Sequence, residues 1–442
     1  MKNLKFLPIL LALMIMVSCS DQEPIIEYVT VTETVVETIT ETVEVETNQY
    51  SDSTLEGNIT SNLTLDASKM WLLKGRVSVV AGVTLTIPAG TIIKASAGTG
   101  ADASTLIIAR GAKIEANGTE EAPIVMTSIS DNIEIGGTYP VNGPSLSVES
   151  RGLWGGLIIL GNAPASFSGD VSELQIEGIP TSDLNGLYGG IDSSDSSGSI
   201  QYFSIRHGGA EIGEGNEING LTLGGVGSET IINHIEVIAN VDDGIEFFGG
   251  SVNASNLSVW GQGDDAIDID QGYSGTIDGV LVILTSASDH GLEIDGPEGS
   301  LEGRFTLKNA TIVGSTYNCA ALGVDGEMAD FRKGATGDLQ NVLFKNFAGG
   351  KDIELDAAAD SASYTAGTLT FSNIDILYPS DLDANVCSNV ESINQIFDDK
   401  TDPVQSSFES DATSFAEIVS EKKEGNGIDE SKLSWTFYAR YK

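Results

Sequence analysis

The sequence predicts an all-β chain folded as a single-stranded, right-handed parallel β-helix (a solenoid), and three observations carry that prediction. The first is a repeat: Asp242-Asp243-Gly244-Ile245-Glu246-Phe247-Phe248, then Asp264-Asp265-Ala266-Ile267-Asp268-Ile269-Asp270, then Asp289-His290-Gly291-Leu292-Glu293-Ile294-Asp295. The period, about 22 to 25 residues, is that of a solenoid coil. The second is alternation. Ile245, Phe247, Ile267, Ile269, Leu292 and Ile294 share one parity, while Glu246, Asp268, Asp270, Glu293 and Asp295 share the other. Period-2 alternation inside a longer repeat means stacked strands with an apolar face inward and an acidic face outward. The third is turn chemistry: 51 glycines supply positive-φ corners and let successive coils approach closely. The hand follows from strand twist.

Taken in order, residues 1–18 read as a signal peptide. Lys2 and Lys5 precede an apolar run, residues 6–17, that is short for a membrane span. The run ends in Met16-Val17-Ser18-Cys19, which resembles a bacterial lipobox and makes Cys19 the lipidated first residue of the mature chain; the alternative is an ordinary secretory signal. Residues 19–50 form a lipidated stalk made almost wholly of Thr, Glu and Val. Val29, Val36 and Val43 hint at a heptad coiled coil, whereas the β-branched residues around them favour extended chain. Loss of Lys2 and Lys5 leaves 20 bases against 64 acids, a formal charge of about −44. Such a surface repels nucleic acid and anionic lipid, and favours cations, basic partners or neutral glycans. Cys319 and Cys387, in an exported chain, are either a disulfide or two buried thiols.

The β-helix body is expected over residues 51–442. Short strands begin at Leu63-Thr64-Leu65 and Trp71-Leu72-Leu73, and Leu85-Thr86-Ile87-Pro88-Ala89-Gly90-Thr91-Ile92-Ile93 wraps two strands around a tight corner. That design recurs over residues 106–114. Residues 166–199, rich in Ser, Gly and Asp, read as a long insertion leaving the solenoid. Regular coils resume at Ile200 and run through Phe344. The aromatic close, Ser434-Trp435-Thr436-Phe437-Tyr438-Ala439-Arg440-Tyr441, reads as a strand covering the last coil.

The apolar strand Trp154-Gly155-Gly156-Leu157-Ile158-Ile159-Leu160, with the acidic repeats after it, resembles an uncharacterised group of Bacteroidetes outer-membrane lipoproteins predicted to be right-handed β-helices. The resemblance covers most of the chain from about Leu63. It implies a lipid anchor in the outer membrane with the body on the cell surface, partnered by a surface glycan or a TonB-dependent transporter complex. It implies no activity. Ser20-Asp21-Gln22-Glu23 is similar to the acidic surface-export signal of such lipoproteins, although Gln22 interrupts the acids.

A second resemblance concerns chemistry. Polygalacturonase-type glycoside hydrolases carry Asn-Thr-Asp, Asp-Asp, His-Gly and Arg-Ile-Lys motifs on consecutive coils. Val241-Asp242-Asp243-Gly244, Asp264-Asp265, His290-Gly291 and Arg332-Lys333 are similar to them in order. By that resemblance Asp264 is the general acid, Asp243 and Asp265 activate water, and His290, Arg332 and Lys333 complete the site. Against it, adjacent Arg332 and Lys333 should point to opposite faces of a strand. The surrounding acids would repel a polyanion, and a coil repeat produces Asp-Asp matches by itself. His207, at a corner, and His234, in a strand, read as structural.

The five acids Glu246, Asp268, Asp270, Glu293 and Asp295 recur at outward positions on coils about 4.8 Å apart. There, unit charges repel by roughly 3.5 kcal/mol at an effective dielectric near 20. The nearest bases in sequence are Arg304 and Lys308. The ladder is therefore either a solvated, salt-screened face or a metal site in which Ca²⁺ bridges carboxylates. The expected function is a non-catalytic surface module for a glycan, a cation or an uptake partner. The alternative is a polysaccharide-degrading hydrolase or lyase.

Overall fold

Alternating strands and glycine corners build stacked coils in parallel register. The computed structural model describes residues 50–136, 145–212, 217–314, 327–347, 352–378 and 392–441. The signal peptide, the stalk with Cys19, and both Cys319 and Cys387 lie outside them. In the middle of the body each coil contributes one long and one short strand. The long strands Gly198–Arg206, Ile231–Ile238, Asn253–Trp260, Thr276–Ile283, Phe305–Val313, Gly337–Lys345 and Leu369–Leu377 pair in succession. So do the short strands Leu157–Leu160, Leu221–Gly224, Ile245–Phe248, Ile267–Asp270, Leu292–Asp295, Ala329–Arg332, Ile353–Leu355 and Phe397–Asp399. This is the parallel β-helix that the repeat predicts. Its bore is one continuous apolar core, filled by inward residues such as Val237, Val259, Val282, Phe247, Ile269 and Ile294, all buried.

Each long strand bends at one left-handed residue. These are Tyr202, His234, Asn256, Gly279, Asn309, Asn341 and Asn373. Asparagine tolerates this backbone because its short side chain can hydrogen-bond locally. Here the amides also bond along the stack: Asn341 Nδ2 donates to Asn309 Oδ1 (3.2 Å) and Asn373 Nδ2 to Asn341 Oδ1 (2.8 Å). His234 fills one such bend, stacked on the Tyr202 ring at 4.2 Å. His207 is a buried corner residue with Nδ1 2.7 Å from the Ser150 carbonyl oxygen.

Residues 161–197 leave the solenoid after Leu157–Leu160 and rejoin it at Gly198–Arg206. They fold back onto its outer face. Phe167, Ile176, Ile179 and Tyr188 cover the outward side chains Ile107, Ile158 and Phe248. Arg110 pairs with Glu173 at 2.6 Å and Arg76 with Asp183 at 3.3 Å, pinning the excursion to earlier coils.

The C-terminal residues depart from the expected capping strand. Phe437–Tyr441 is a helical turn, and the residues before it lie along the flank of the long strands. Trp435 is fully buried, 5.6 Å from Tyr202, and the Tyr438 N–H donates to Glu236 Oε1 (3.2 Å). The physical reason is that this flank is itself apolar: Leu281 and Val313 need the cover that Ile428 and Leu433 supply. At the last coils a cluster of Phe371, Phe397, Phe408 and Phe415 does the packing instead.

Candidate functional site

Strand pairing extends the acidic ladder well past three rungs. Along the outward position of the short strands, Glu246, Asp268, Glu293, Asp330, Glu354 and Asp398 are successive register partners. Sequence reasoning missed the last three because longer corners precede them and the Asp-Asp signature is lost. Their parity against Phe331, Leu355 and Phe397 was the available signal.

The upper rungs are not a solvated face. Glu246, Asp268 and the corner residue Asp243 are 4%, 7% and 6% exposed. Two segments accompany them: the excursion, where Tyr188 Oη donates to Gln271 Oε1 (2.7 Å), and the approach to Leu221–Gly224, where Asn219 Nδ2 donates to Glu246 Oε2. Asn219 is itself 3% exposed. Its Oδ1, like Asp268 Oδ1, is buried without a hydrogen-bond partner. Asp243, Glu246 and Asp268 each offer an oxygen within 4.8 Å of the others. Among the described residues, no lysine, arginine or histidine pairs with any of the three. Burial, followed by mutual repulsion, holds all three well above the usual carboxylate range.

At the corner above them, burial and neighbouring acids raise Asp242 to about 7 and Asp264 to about 6. Asp243 Oδ1 accepts the Asp265 N–H (3.0 Å). Asp265 Oδ1 in turn accepts the His290 backbone N–H and lies 2.8 Å from His290 Nδ1. Burial would lower His290, but its bond to Asp265 and the surrounding charge raise it to about 9. The imidazolium is thus the counter-ion of Asp265. Asp243, Asp264, Asp265 and His290, separated by up to 47 residues in sequence, do converge on one corner.

Bases enter at the lower rungs. Arg332 Nη1 meets Glu293 at 2.5 Å, while its Nε and Nη2 take both oxygens of Asp295 at 2.7 and 3.1 Å. Lys333 Nζ reaches the same carboxylate at 2.5 Å. This corrects the expectation that the two bases point apart. The strand ends at Arg332, and Lys333 adopts left-handed backbone (φ 54°), which brings its side chain back to the same acid. It also corrects the reading of Glu293 and Asp295 as rungs without bases. Burial pushes Asp295 up, but its bonds to Arg332 and Lys333 hold it below the usual range. Glu293 has only a share of Arg332, and burial raises it to about 8. Arg304 and Lys308 serve Asp338 and Asp278 instead. Further down, Lys400 Nζ bonds Asp352, Glu354 and Asp398 at 2.9, 2.7 and 2.7 Å.

Of the five acids expected to hold a metal, then, Glu246 and Asp268 stay together and Asp243 joins them. Asp270, raised to about 7 by burial and by Asp295, lies beside them on the Ile267–Asp270 strand. Glu293 and Asp295 belong to Arg332 and Lys333.

Residues 57–437, which include every rung, match the family model described as a pectate-lyase like beta helix domain. The chain belongs to that family. No curated protein and no solved structure matches it. Within this pectate-lyase like domain, the upper rungs offer three carboxylates and an orphaned amide oxygen. That all-oxygen set suits a hard divalent cation better than a zinc-type ion, which favours nitrogen and sulfur donors.

Proposed function

We propose that the protein is a lipid-anchored, surface-exposed module of the outer membrane whose β-helix works without catalysis as a cation-loaded binding body. One observation carries this reading: Asp243, Glu246 and Asp268 are buried together with no base among the described residues to balance them. Two unit charges within 4.8 Å repel by roughly 3.5 kcal/mol at an effective dielectric near 20, and each also pays for leaving water. Protons or a metal ion must offset that. Asp243, Glu246, Asp268 and Asn219 would hold Ca²⁺, which supplies positive charge that ties consecutive coils together. A surface glycan or a TonB-dependent transporter complex is the partner this role implies, with Cys19 as the anchor.

The test is a melting curve of the full chain in millimolar Ca²⁺ and in chelator at matched ionic strength. Calcium should raise the melting temperature; superimposable curves would end the cation reading. Mass spectrometry of the native N-terminus should find acyl chains on Cys19.

A second reading, a polygalacturonase-like hydrolase, draws on the Asp265–His290 contact and on Asp264, raised far enough to act as an acid near neutrality. Two features oppose it. Asp242, Asp243 and Asp264 each offer an oxygen within 4.8 Å of the others, so a third acid crowds the place where an inverting pair would seat its water. Arg332 and Lys333 are also committed to Asp295. No turnover of polygalacturonate is expected, and hydrolysis that disappears in Asp264→Asn would replace the first reading with this one.

A further inference from the structure

The row of left-handed residues on the long strands has a gap. Asn256 and Asn309 hold that backbone at φ 55° and 58°, while Gly279 between them, at φ 86°, presents no side chain. Residues 422–432 fold across the gap without filling it and leave a cleft of about 770 Å³, within the size range of small-ligand sites. Its charges balance: Lys422, Lys423 and Lys432 line it against Asp278, Glu424 and Asp429. On a chain of formal charge −42, such local neutrality excludes neither face of a hydroxyl. Asn426 also lines the cleft and is 2% exposed. Its Oδ1 accepts the Gly427 N–H (2.9 Å), but its Nδ2 is buried without an acceptor. An unsatisfied buried amide donor costs about 1–3 kcal/mol, so a residue of the cleft wall keeps an unspent donor just behind the surface.

We infer that this cleft binds a neutral saccharide. Sugar hydroxyls donate and accept at once, which is what the lining offers: Asp278 and Asp429 keep carboxylate lone pairs beyond their bonds to Lys308, Asn309 and Ser431, and Lys432 donates. An anion would meet three carboxylates, and a cation three lysines. The inference names a ligand class for the binding body proposed above and rests on that role alone. The cleft lies on the long strands, whereas the acidic ladder lies on the short ones, so it needs no metal there.

Affinity electrophoresis of the full chain through gels containing xyloglucan, galactomannan or starch tests this, with polygalacturonate as the charged control. At least one neutral gel should retard the protein, equally with and without chelator. Gly279→Asn continues the asparagine row at a position where an added Cβ meets nothing closer than Asn256 Oδ1 at 3.4 Å. It should intrude on the cleft floor and weaken retardation, while lowering the melting temperature by no more than the strain of a left-handed asparagine. Lys432→Ala should weaken binding about five-fold, the loss of one hydrogen bond. Absence of retardation in every neutral gel overturns the inference, as does a Gly279→Asn protein that is retarded like wild type. Retardation lost in chelator or in Asp268→Asn overturns it too, by moving the glycan to the ladder. Failure of the calcium melting test, by contrast, would leave the cleft result standing.

Discussion

The upper and lower rungs of the acidic ladder occupy the same outward position on successive coils and differ in what faces them. Glu293, Glu354 and Asp398 meet Arg332 or Lys400 directly, with Asp295 held by Arg332 and Lys333 beside them. Among the described residues, Glu246, Asp268 and Asp243 meet no base: they face other acids, the Asn219 amide and the Asp265 N–H, and they are buried where Glu293, Glu354 and Asp398 are partly exposed. A strand position that repeats an acid therefore does not define a role. Glu293, Glu354 and Asp398 carry their own cations. Asp330 between them is without a direct ion pair among the described residues and is raised to about 6 by burial. The upper rungs are built for a cation from outside or for protons.

The largest expected effect comes from removing a resident cation. Arg332→Ala strands Glu293 and leaves Asp295 to Lys333 alone, and the near-complete burial of the Asp295 carboxylate makes a loss of about 3 kcal/mol the expectation for breaking a buried pair. Urea unfolding would show it, and a loss below a few tenths would erase the distinction between the two halves. Next is the upper site itself. If millimolar Ca²⁺ exceeds its dissociation constant about a hundredfold, it should stabilise the protein by about 2.7 kcal/mol. Asp268→Asn should remove that increment while raising stability in chelator, because one buried like charge is gone.

Titration sharpens the contrast further. Asp242, Asp264 and Asp270 have folded pKa values raised to about 7, 6 and 7, so the native state holds protons that the unfolded chain has released. Metal-free stability should therefore fall as pH rises from about 4 to about 7. Asp295, lowered by its bases, has the opposite sign: its contribution is present above the unfolded pKa and disappears as pH falls through the folded one. Because protons compete with metal for carboxylates, the calcium increment should grow from pH 5 to pH 8. A metal-free melting temperature that rises over that range would contradict the assignment of the upper rungs. The smallest effect is expected at Lys400, whose side chain is 34% exposed. Lys400→Ala should cost about 1 kcal/mol or less, as solvated ion pairs do.

The sequence by itself determined the coil, the inward set and the outward set. Those properties follow from backbone parity and turn chemistry, which are local: Ile267 and Ile269 must face the bore if Asp268 and Asp270 do not. The corner that gathers Asp243, Asp264, Asp265 and His290 was legible for the same reason, since equal offsets in a repeat become adjacent rungs. Only the tertiary structure decided that Asp243, Glu246 and Asp268 would be buried, because that depends on segments distant in sequence arriving beside them, among them Asn219 on Glu246 and the excursion's Tyr188 on Gln271. It also decided that Arg332 and Lys333 share Asp295, through one left-handed residue that no strand periodicity reports. The ladder continued to Asp398 because register, not motif, aligns the later strands. Trp435 came to lie on a flank instead of an end because the outer faces of Leu281 and Val313 were the apolar surface still uncovered. Parity belongs to neighbouring residues; charge balance and burial belong to whatever distant segment arrives to provide them.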